Sequence, residues 1–391
     1  MSTTSRPEGV EAYTVAWIAP LVQDRAAGES MFDEEHDEPE DFEQNASDIN
    51  AYSWGGMGKH NVVIASLPSA EYGTNAAATV AQALRSSLPH IRMGLLVGTG
   101  AGIPGERCGP DNKPELRRHI QLGDVAVSLP ESGTGGVVQF DLVAIKESDG
   151  SVVVEQRGWL NSSPQAVRTA LTALRAKHER MGVTFESIIE GALTRYGNMT
   201  KTYCHPELNE PPEARRPDIY HMRDGTRIMR EPRKNPSIHY GVVASSNKLV
   251  KSARARDGIM DELEGIDPIC IEMEAAGLMN IFPCLVVRGI CNYADEHKND
   301  DWQKYAAMVA AAYAKDYLQS VSARLVTKGL KIEVLLKQVD AHVERVEAAT
   351  TYLEDGQRSK EVEAKLDWVS PYDYLAEQHT KFTQAQPGTG E

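Results

Sequence analysis

One stretch, residues 268–297 (PICIEMEAAGLMNIFPCLVVRGICNYADEH), constrains the fold more than any other. Its segment 284–290 has the continuous apolar character of a strand buried on both faces of a sheet. Two carboxylates, Glu272 and Glu274, precede a short small-residue helix, and Asn292 follows the strand. Ligands collect at the carboxyl ends of strands in open α/β sheets, so the stretch predicts an α/β fold with a substrate site here.

A second buried strand is predicted within residues 93–105, MGLLVGTGAGIPG. Its small residues allow the backbone to approach a ligand closely and to offer N–H groups. The spacing differs from the G-x-G-x-x-G pattern that opens a dinucleotide-binding helix. The segment is therefore either a ligand-binding loop or an ordinary turn after a strand.

Local patterns predict further elements. The apolar run 13–19 predicts a first strand, 164–180 predicts an amphipathic helix, and 302–325 predicts one helix that closes the domain. The acid-rich segment 29–48 is typical of a solvated loop, and a loop is also expected at Glu272 and Glu274. Asp149-Gly150 predicts a hairpin turn, and Thr74 or Asn75 can cap the helix that follows.

Two motifs carry a resemblance to a known family: I-E-M-E-A-A-G at 271–277 and V-V-R-G-I-C-N-Y-A-D at 286–295, with L-G-D-V at 122–125 as a further match. Over roughly residues 12–325 the chain resembles the nucleoside phosphorylase and nucleosidase superfamily, and within it the N-terminal effector domains of fungal NLR-like proteins that carry a NACHT module. The resemblance implies an α/β domain with a twisted, mixed central sheet flanked by helices. Residues 326–391 would form a helical extension or linker.

The resemblance also implies a choice between two reactions at the end of the first strand. Phosphorylases of the superfamily carry an arginine that holds phosphate, whereas nucleosidases carry a glutamate that activates water. Asp24 falls at this position, one methylene shorter than glutamate, and favours hydrolysis. In the alternative, Asp24 is only an acid favoured by the dipole at a helix N-terminus, and the neighbouring Arg25 is the working residue.

Further substrate contacts follow from the resemblance alone. Glu274 would hold the ribose 2′ and 3′ hydroxyls, with Met273 packed against the sugar. Thr99 would face the nucleophile side of the ribose. The other expected contacts to base and ribose are Gly100, Ala101, Ser245, Ser246, Asn247 and Glu272.

Asn292 departs from the family pattern, because most nucleosidases of this type have aspartate there to protonate N7 of the leaving purine. An amide cannot deliver a proton, and general acid catalysis contributes about 100- to 10,000-fold. Three explanations remain open: a replacement made to trap substrate, a preference for 6-oxopurines, or a naturally weak enzyme that senses its ligand. Asp295 is a possible substitute acid, although its direction after the strand is not fixed by the sequence.

Residues 200–236 concentrate arginines in an otherwise acidic protein. Guanidinium groups match phosphate oxygens, so this segment is a candidate for contacts with a nucleotide's phosphates. The alternative is a solvated insertion with local ion pairs. The candidate phosphate-binding residues are Arg215, Arg216, Arg227 and Arg230.

Composition excludes several other classes of function. The net charge of −15 argues against nonspecific nucleic-acid binding and against docking on an anionic membrane. Five scattered cysteines without a C-x-x-C pair predict reduced thiols, and no metal or redox cofactor is implied. The polar N-terminus and the lack of a long apolar run predict a cytoplasmic protein.

The resemblance, together with the residues that match it, implies a purine nucleosidase that releases adenine from an adenine nucleoside or nucleotide such as adenosine or ATP. The alternatives are a phosphate-dependent purine nucleoside phosphorylase and a non-catalytic purine-sensing module of an NLR-like immune protein. An apolar stripe from Ile332 to Leu353 suits helix packing or formation of a homo-oligomer. Residues 366–391 resemble the segment that leads into a NACHT-type ATPase, so an attached ATPase of this type is an expected partner. The sequence is then expected to be either a portion of a longer protein or a short relative.

Overall fold

The computed structural model describes residues 9–108, 114–148, 151–156, 158–207, 210–211, 217–231, 233–263, 265–297, 300–339 and 341. Its strands are β1 (Tyr13–Ala19), β2 (Glu34–His36), β3 (Ser53–Met57), β4 (His60–Ser66), β5 (Met93–Gly102), β6 (Glu106–Cys108), β7 (Pro114–Leu116), β8 (Val125–Ser128), β9 (Val137–Gln139), β10 (Val143–Ser148), β11 (Ser151–Gln156), β12 (Asp218–His221), β13 (Arg227–Arg230), β14 (Ile238–Gly241), β15 (Val243–Ser245), β16 (Cys270–Glu272) and β17 (Cys284–Asn292). The α-helices are α1 (Val22–Glu29), α2 (Thr74–Ser87), α3 (Gln165–Met181), α4 (Phe185–Arg195), α5 (Ala253–Glu262), α6 (Ala275–Leu278), α7 (Gln303–Ser320), α8 (Ala323–Lys328) and α9 (332–339).

Among these residues a mixed sheet of eleven strands forms the centre of the molecule, with the main order β14-β8-β17-β5-β1-β4-β3-β2. Strands β17, β5, β1 and β4 are parallel to one another. Strand β8 is antiparallel to β17, and β3 is antiparallel to β4. Strand β16 pairs antiparallel with the end of β5, and β15 joins β16 to β9. The carboxyl ends of β17, β5 and β1 therefore meet at one edge of the sheet.

Strand β1 shows why this sheet is buried on both faces. Val15, Trp17 and Ala19 pack in one core cluster with residues of α7, whereas Ala16 and Ile18 pack in the opposite cluster with residues of α2. All seven residues of the strand are buried. Since burial of a large aliphatic side chain stabilises a fold by about 1.5–3 kcal/mol, the alternation fixes the register of the central strands.

Helix α7 packs directly on β17 because the strand offers a residue without a side chain. A Cβ atom placed on Gly289 would lie 1.9 Å from the carbonyl oxygen of Ala306. Any larger residue at 289 would push the helix away from the sheet. The contact fixes the strand that carries Arg288 and Asn292 against a long, almost completely buried helix.

The predicted fold class is confirmed, with its mixed central sheet and flanking helices. The first strand, predicted at 13–19, has these bounds in the structure, and the predicted helix at 164–180 is α3. The predicted hairpin turn at Asp149 and Gly150 lies outside the described residues, but β10 and β11 pair on either side of it as expected.

Three local expectations were wrong. The acidic segment 29–48, expected to be only a solvated loop, contains β2, which pairs with β3 and extends the sheet by one strand. Glu272 belongs to β16 rather than to a loop. The single helix expected over 302–325 is interrupted at Ser322, whose extended backbone (φ −69°, ψ 125°) separates α7 from α8.

The described part of the C-terminal extension packs on the α/β body. Val326 joins the core cluster that contains α7, and Ile332 and Leu336 join the cluster that contains α2. The rest of the predicted stripe, as far as Leu353, and the segment 366–391 lie outside the described residues. The predicted boundary at residue 325 stays a prediction.

Within the part of the chain that the structure describes, no helix has both the length and the apolar composition needed to cross a membrane.

Candidate active site

A cavity of about 290 Å³ opens where the carboxyl ends of β1, β5 and β17 meet β16. Three stretches that follow or end these strands contribute to its wall, as expected for a ligand site in an α/β sheet. The lining residues include Asp24, Thr99, Gly100, Ala101, Glu272, Met273, Glu274 and Asn292. The structure thus brings together most of the site residues predicted from the sequence.

Arg288, which the sequence analysis did not select, lies at the centre of this wall and is 0% exposed. Its Nη2 donates hydrogen bonds to Glu272 and to Glu274 Oε2, the second over 3.0 Å. Burial alone would lower the pKa of Arg288, but Glu272, Glu274 and Asp24 together raise it above its ordinary value. The guanidinium is therefore a permanent cation that compensates three buried acids.

The backbone leaves room for this arginine at Gly98 on β5. A Cβ atom at that position would lie 2.8 Å from both Arg288 Nη1 and Asp24 Oδ2. Either group would have to move if residue 98 had a side chain. The predicted glycine-rich segment thus serves partly to accommodate the buried cation.

Glu272 is held by several protein contacts. Besides the contact with Arg288, its carboxylate accepts hydrogen bonds from the backbone N–H groups of Glu274 and Ala275, over 3.0–3.1 Å. These N–H groups begin α6, where a negative charge is favourable. Glu272 therefore orients Arg288 and the backbone of residues 273–275. Glu272 also lines the cavity.

Glu274 has capacity left for a ligand. Its Oε2 accepts from Arg288, and its Oε1 accepts a long hydrogen bond of 3.4 Å from the N–H of Gly73. Burial raises the pKa of Glu274, Arg288 lowers it, and Glu272 raises it again, with a net upward shift. A carboxylate oxygen can accept two hydrogen bonds, so Glu274 retains free acceptor positions towards the cavity.

Asp24, on the first turn of α1, is the group with the strongest acid–base character in the cavity. Its Oδ2 accepts a hydrogen bond of 3.1 Å from the N–H of Leu21, and its buried Oδ1 has no hydrogen-bond partner among the described residues. Burial raises the pKa of Asp24 to about 7, against the opposing charge of Arg288. A carboxylate with this pKa can accept a proton near neutral pH.

This pKa predicts a pH dependence of stability. Between pH 3.8 and about 7, folded Asp24 holds a proton that the unfolded chain has lost, so its contribution to stability falls as pH rises through this window. At 1.36 kcal/mol per pKa unit the change is on the order of 4 kcal/mol. Asp24→Asn has no carboxyl group at this position and does not lose stability in this way. The variant should therefore gain stability relative to the wild type as the pH rises from 4 to 8.

Urea denaturation of both proteins at pH 4, 6 and 8 measures this difference directly, since the other carboxyl groups cancel in the comparison. A difference that stays constant from pH 4 to 8 would mean that Asp24 titrates normally.

Thr99, Gly100 and Ala101 form the floor of the cavity at the end of β5. The carbonyl oxygen of Thr99 accepts a 3.4 Å hydrogen bond from Arg288 Nη1. Ala101 pairs with Ile271 on β16 and with Asn292 on β17. The segment therefore connects the strands that carry the acids with the strand that carries Asn292.

Asn292 lies just past a register shift in the pairing of β17 with β5, where the register passes from Ile290 to Asn292 and skips Cys291. The bulge brings both residues to the cavity wall. Asn292 Oδ1 accepts a hydrogen bond of 2.9 Å from the N–H of Ala294, which has a φ of +53°. Its Nδ2 lies 3.2 Å from Cys291 Sγ, which is only a weak acceptor. The amide N–H groups can therefore still donate a hydrogen bond to a ligand.

The segment expected to contact base and ribose behaves differently. Ser245, Ser246 and Asn247 do not line the cavity, whereas the next residues, Lys248 and Leu249, do. The hydroxyl of Ser246 accepts from the N–H of Lys248, and Ser245 accepts from Ala276. Both hydroxyls therefore stabilise the turn, and neither serine contributes to the lining of the cavity.

Asn247 joins this turn to α2. Its Oδ1 accepts from the N–H of Thr74 over 2.8 Å, and its Nδ2 donates to the Thr74 hydroxyl over 2.7 Å. It thus caps α2 from outside, in place of the self-capping by Thr74 or Asn75 that the sequence suggested.

Two of the predicted phosphate-binding arginines and the alternative acid do not line the cavity. Arg227 is exposed on β13, and Arg230 pairs with Asp218 and donates to the Tyr293 hydroxyl, so neither lines the cavity. Asp295 points to His221, at 3.0 Å, instead of into the cavity. Arg215 and Arg216 are outside the described residues.

Two lining cations were missed, Arg288 and Lys248. A sequence signal existed for Arg288, because an arginine inside an apolar strand needs a buried carboxylate partner. Lys248 is exposed and gave no such signal. Tyr72 and Gln303 also line the cavity, and neither belongs to a sequence motif that would have indicated it.

No family model matches the chain. A nucleotide-binding leucine-rich repeat (NLR)-like protein of Hyaloscypha variabilis is 39% identical over 335 residues, which are 82% of this chain and 31% of that protein. The chain thus spans about a third of the length of this curated relative. The match confirms the predicted likeness to NLR-like proteins.

Solved structures similar to this chain include futalosine hydrolase of Helicobacter pylori, with 13% identity, a TM-score of 0.46 and coverage of 78% of this chain and 97% of that one. The 5′-methylthioadenosine/S-adenosylhomocysteine nucleosidase of Neisseria meningitidis has 14% identity, a TM-score of 0.47 and coverage of 78% and 98%. The corresponding enzyme of S. pneumoniae has 13% identity, a TM-score of 0.47 and coverage of 79% and 99%. Each of these likenesses has a TM-score below 0.5, and the chemistry of the site rests on its own residues.

Proposed function

We propose that this chain, a relative of an NLR-like protein, is a purine nucleosidase that hydrolyses the N-glycosidic bond of an adenine nucleoside or nucleotide. One observation carries the proposal: Asp24, with a pKa of about 7 and an unpartnered Oδ1, shares a cavity with Glu274 and Asn292. A base for water, an acceptor for ribose hydroxyls and a polar side chain for the purine are the groups that this reaction requires.

The reaction breaks the bond from C1′ to the purine nitrogen, whose electron pair leaves with the base. The ribose gains oxocarbenium character, and a water oxygen bonds to C1′ while Asp24 takes the water proton. Glu274 accepts hydrogen bonds from the 2′ and 3′ hydroxyls and stabilises the positive charge on the sugar. Asn292 donates an amide hydrogen bond to the purine, and the departing base takes its proton from solvent.

Hydrolysis has better support than phosphorolysis. The alternative assigned phosphate to Arg25, whose guanidinium contacts Glu29, Ser53, Ser66 and the carbonyl of Ala51. Arg25 does not line the cavity. The two described cations on the wall are Arg288, which is committed to carboxylates, and Lys248.

We propose an adenine nucleotide such as ATP as the substrate class, with Lys248, an exposed cation on the cavity lining, as the described residue that would contact its phosphates. Lysine binds phosphate as a point charge. The predicted roles of Arg215 and Arg216 stay part of this proposal.

The likeness to an NLR-like protein supports a setting in which residues 12–325 act as an N-terminal module next to a NACHT-type ATPase. Formation of a homo-oligomer and residence in the cytoplasm remain predictions within this setting. A purine-sensing module without turnover is the second candidate, favoured by the amide at position 292 where an acid would be needed.

Asn292→Asp tests both candidates. A carboxyl group at 292 can protonate the leaving purine, so we expect adenine release to rise by about 100-fold or more. The N–H of Ala294, which donates to residue 292, favours the ionised carboxylate, so the gain should be largest at acidic pH. The measurement is chromatography of free adenine from adenosine, AMP and ATP, with and without phosphate.

The matched control is Asn198→Asp, the same change at an exposed asparagine outside the cavity, which should leave the rate unaltered. Base release that needs phosphate would replace hydrolysis with phosphorolysis. If neither protein releases base from these substrates, inosine or guanosine while both bind purine, the sensing module is the correct function.

A further inference from the structure

Behind the cavity, three side chains with metal-binding atoms come together from distant parts of the sequence. His221 ends β12, and Asp295 and His297 lie in the turn after β17. One ligand atom from each lies within 4.8 Å of the other two. His221 and Asp295 are buried, and His297 is exposed.

The distances suit a single small ion. His221 Nδ1 and Asp295 Oδ2 are 3.0 Å apart, and two ligands on a tetrahedral ion with bonds of about 2.0–2.1 Å are separated by about 3.3 Å. The rings of His221 and His297 are stacked, with centroids 3.6 Å apart and 9° between their planes. Their in-plane nitrogen lone pairs are therefore nearly parallel, and the His297 ring has to turn to direct a nitrogen at the same ion. His297 is exposed and has the freedom to close the remaining gap.

The charge of Asp295 is available to such an ion. Asp295 forms no ion pair with lysine or arginine in the part of the chain that the structure describes. The nearby Arg256 donates to the carbonyl of His221, but its charge is paired with Asp257 through two hydrogen bonds of 2.7 and 2.9 Å. Arg223, also on this side, pairs with Asp261.

The backbone also holds the cluster in place. Asp295 Oδ1 accepts a hydrogen bond of 2.9 Å from the N–H of His297, which fixes the carboxylate relative to the next ligand. Arg256 donates to the carbonyl groups of both His221 and Tyr293 and so connects β12 with the turn after β17. A ligand set needs this kind of support to keep its orientation.

We propose that His221, Asp295 and His297 bind a divalent transition-metal ion of the Zn²⁺ class. Two imidazole nitrogens and a carboxylate oxygen match the preferences of Zn²⁺, and three protein ligands leave a fourth position for water. The ion would connect β12 to the turn that begins at Asn292 and includes Ala294, which lines the cavity. It therefore fixes the position of that part of the active-site wall.

The full chain, freed of metal with a chelator, is titrated with Zn²⁺ by calorimetry and with Co²⁺ by visible absorption. We expect one ion per chain, Co²⁺ bands of a tetrahedral complex, and a rise in Tm on addition of Zn²⁺. His297→Ala, which changes an exposed residue, should weaken Zn²⁺ binding by at least about 100-fold, more than the loss of an outer hydrogen bond does. The matched control His119→Ala, at an exposed histidine outside the cluster, should bind like the wild type.

Circular dichroism and the Tm of the metal-free proteins establish that His297→Ala is folded, and Asp295→Asn provides a second test with an isosteric side chain. The proposal is overturned if wild type and His297→Ala bind Zn²⁺ equally, or if the wild type binds neither ion. Adenine release is not used as a readout, so either result leaves the proposed reaction to its own test.

Discussion

Replacing Asp24 with asparagine is expected to lower adenine release by about 100- to 10,000-fold, the contribution of a general base. Asparagine keeps the shape of the side chain and the acceptor for the N–H of Leu21, but it cannot take a proton from water. The rate is measured in the Asn292→Asp protein, where turnover is largest. Because the pKa of Asp24 is about 7, the rate of the protein that retains Asn292 should rise with pH up to that value.

Two controls separate catalysis from folding. Asp24→Glu keeps a carboxylate and adds one methylene, so it should recover activity because a group that can take the water proton is present again. Glu40→Gln removes an exposed acid outside the cavity and should leave the rate unchanged. An Asp24→Asn protein that retains the parent rate and its pH profile would remove Asp24 from the mechanism.

Arg288→Met should destabilise the protein by about 3–5 kcal/mol, because it leaves Glu272 and Glu274 buried without their counter-charge. Both carboxylates lose a hydrogen bond, and the adjacent Asp24 loses the cation that holds its pKa down. Urea denaturation at pH 8 gives the free energy of unfolding. The methionine fills a similar volume, so the loss of stability reports mainly on charge.

Arg227→Met is the matched control, since Arg227 is exposed on β13 and its replacement should change stability by less than about 0.5 kcal/mol. Adding Glu272→Gln to Arg288→Met should recover part of the lost stability, because it removes one of the unpaired charges. If Arg288→Met differs from the wild type as little as Arg227→Met does, the buried ion pairs contribute no net stability.

Much of the fold and of the cavity wall could be predicted because its signals are local. The apolar segments at 13–19 and 284–290 determine their own strands, and the parallel arrangement brings Asp24 and Asn292 to the same edge. The motif around Glu274 adds the remaining acid. Each of these predictions needs only the sequence of one segment and the general rule for parallel sheets.

What could not be predicted depends on contacts between distant segments. Asn247 caps α2 at Thr74, and the sequence around either residue contains no pattern that predicts this contact. His221 meets His297 only because β12 returns beside the end of β17. Arg288 was treated as part of an apolar strand, although a buried guanidinium always implies partners elsewhere in the chain.

The bulge at Cys291 has a consequence for how such proteins diverge. Residue 292 lies beyond the regular part of the β17–β5 pairing and is only half-buried, so exchanging asparagine and aspartate there disturbs no core packing. The two side chains have the same shape, and both can accept from the N–H of Ala294. Under the proposed reaction, one mutation at this position gains or loses the acid that protonates the leaving purine while the rest of the site is kept, so a catalytic protein and a purely ligand-sensing one can differ by a single residue.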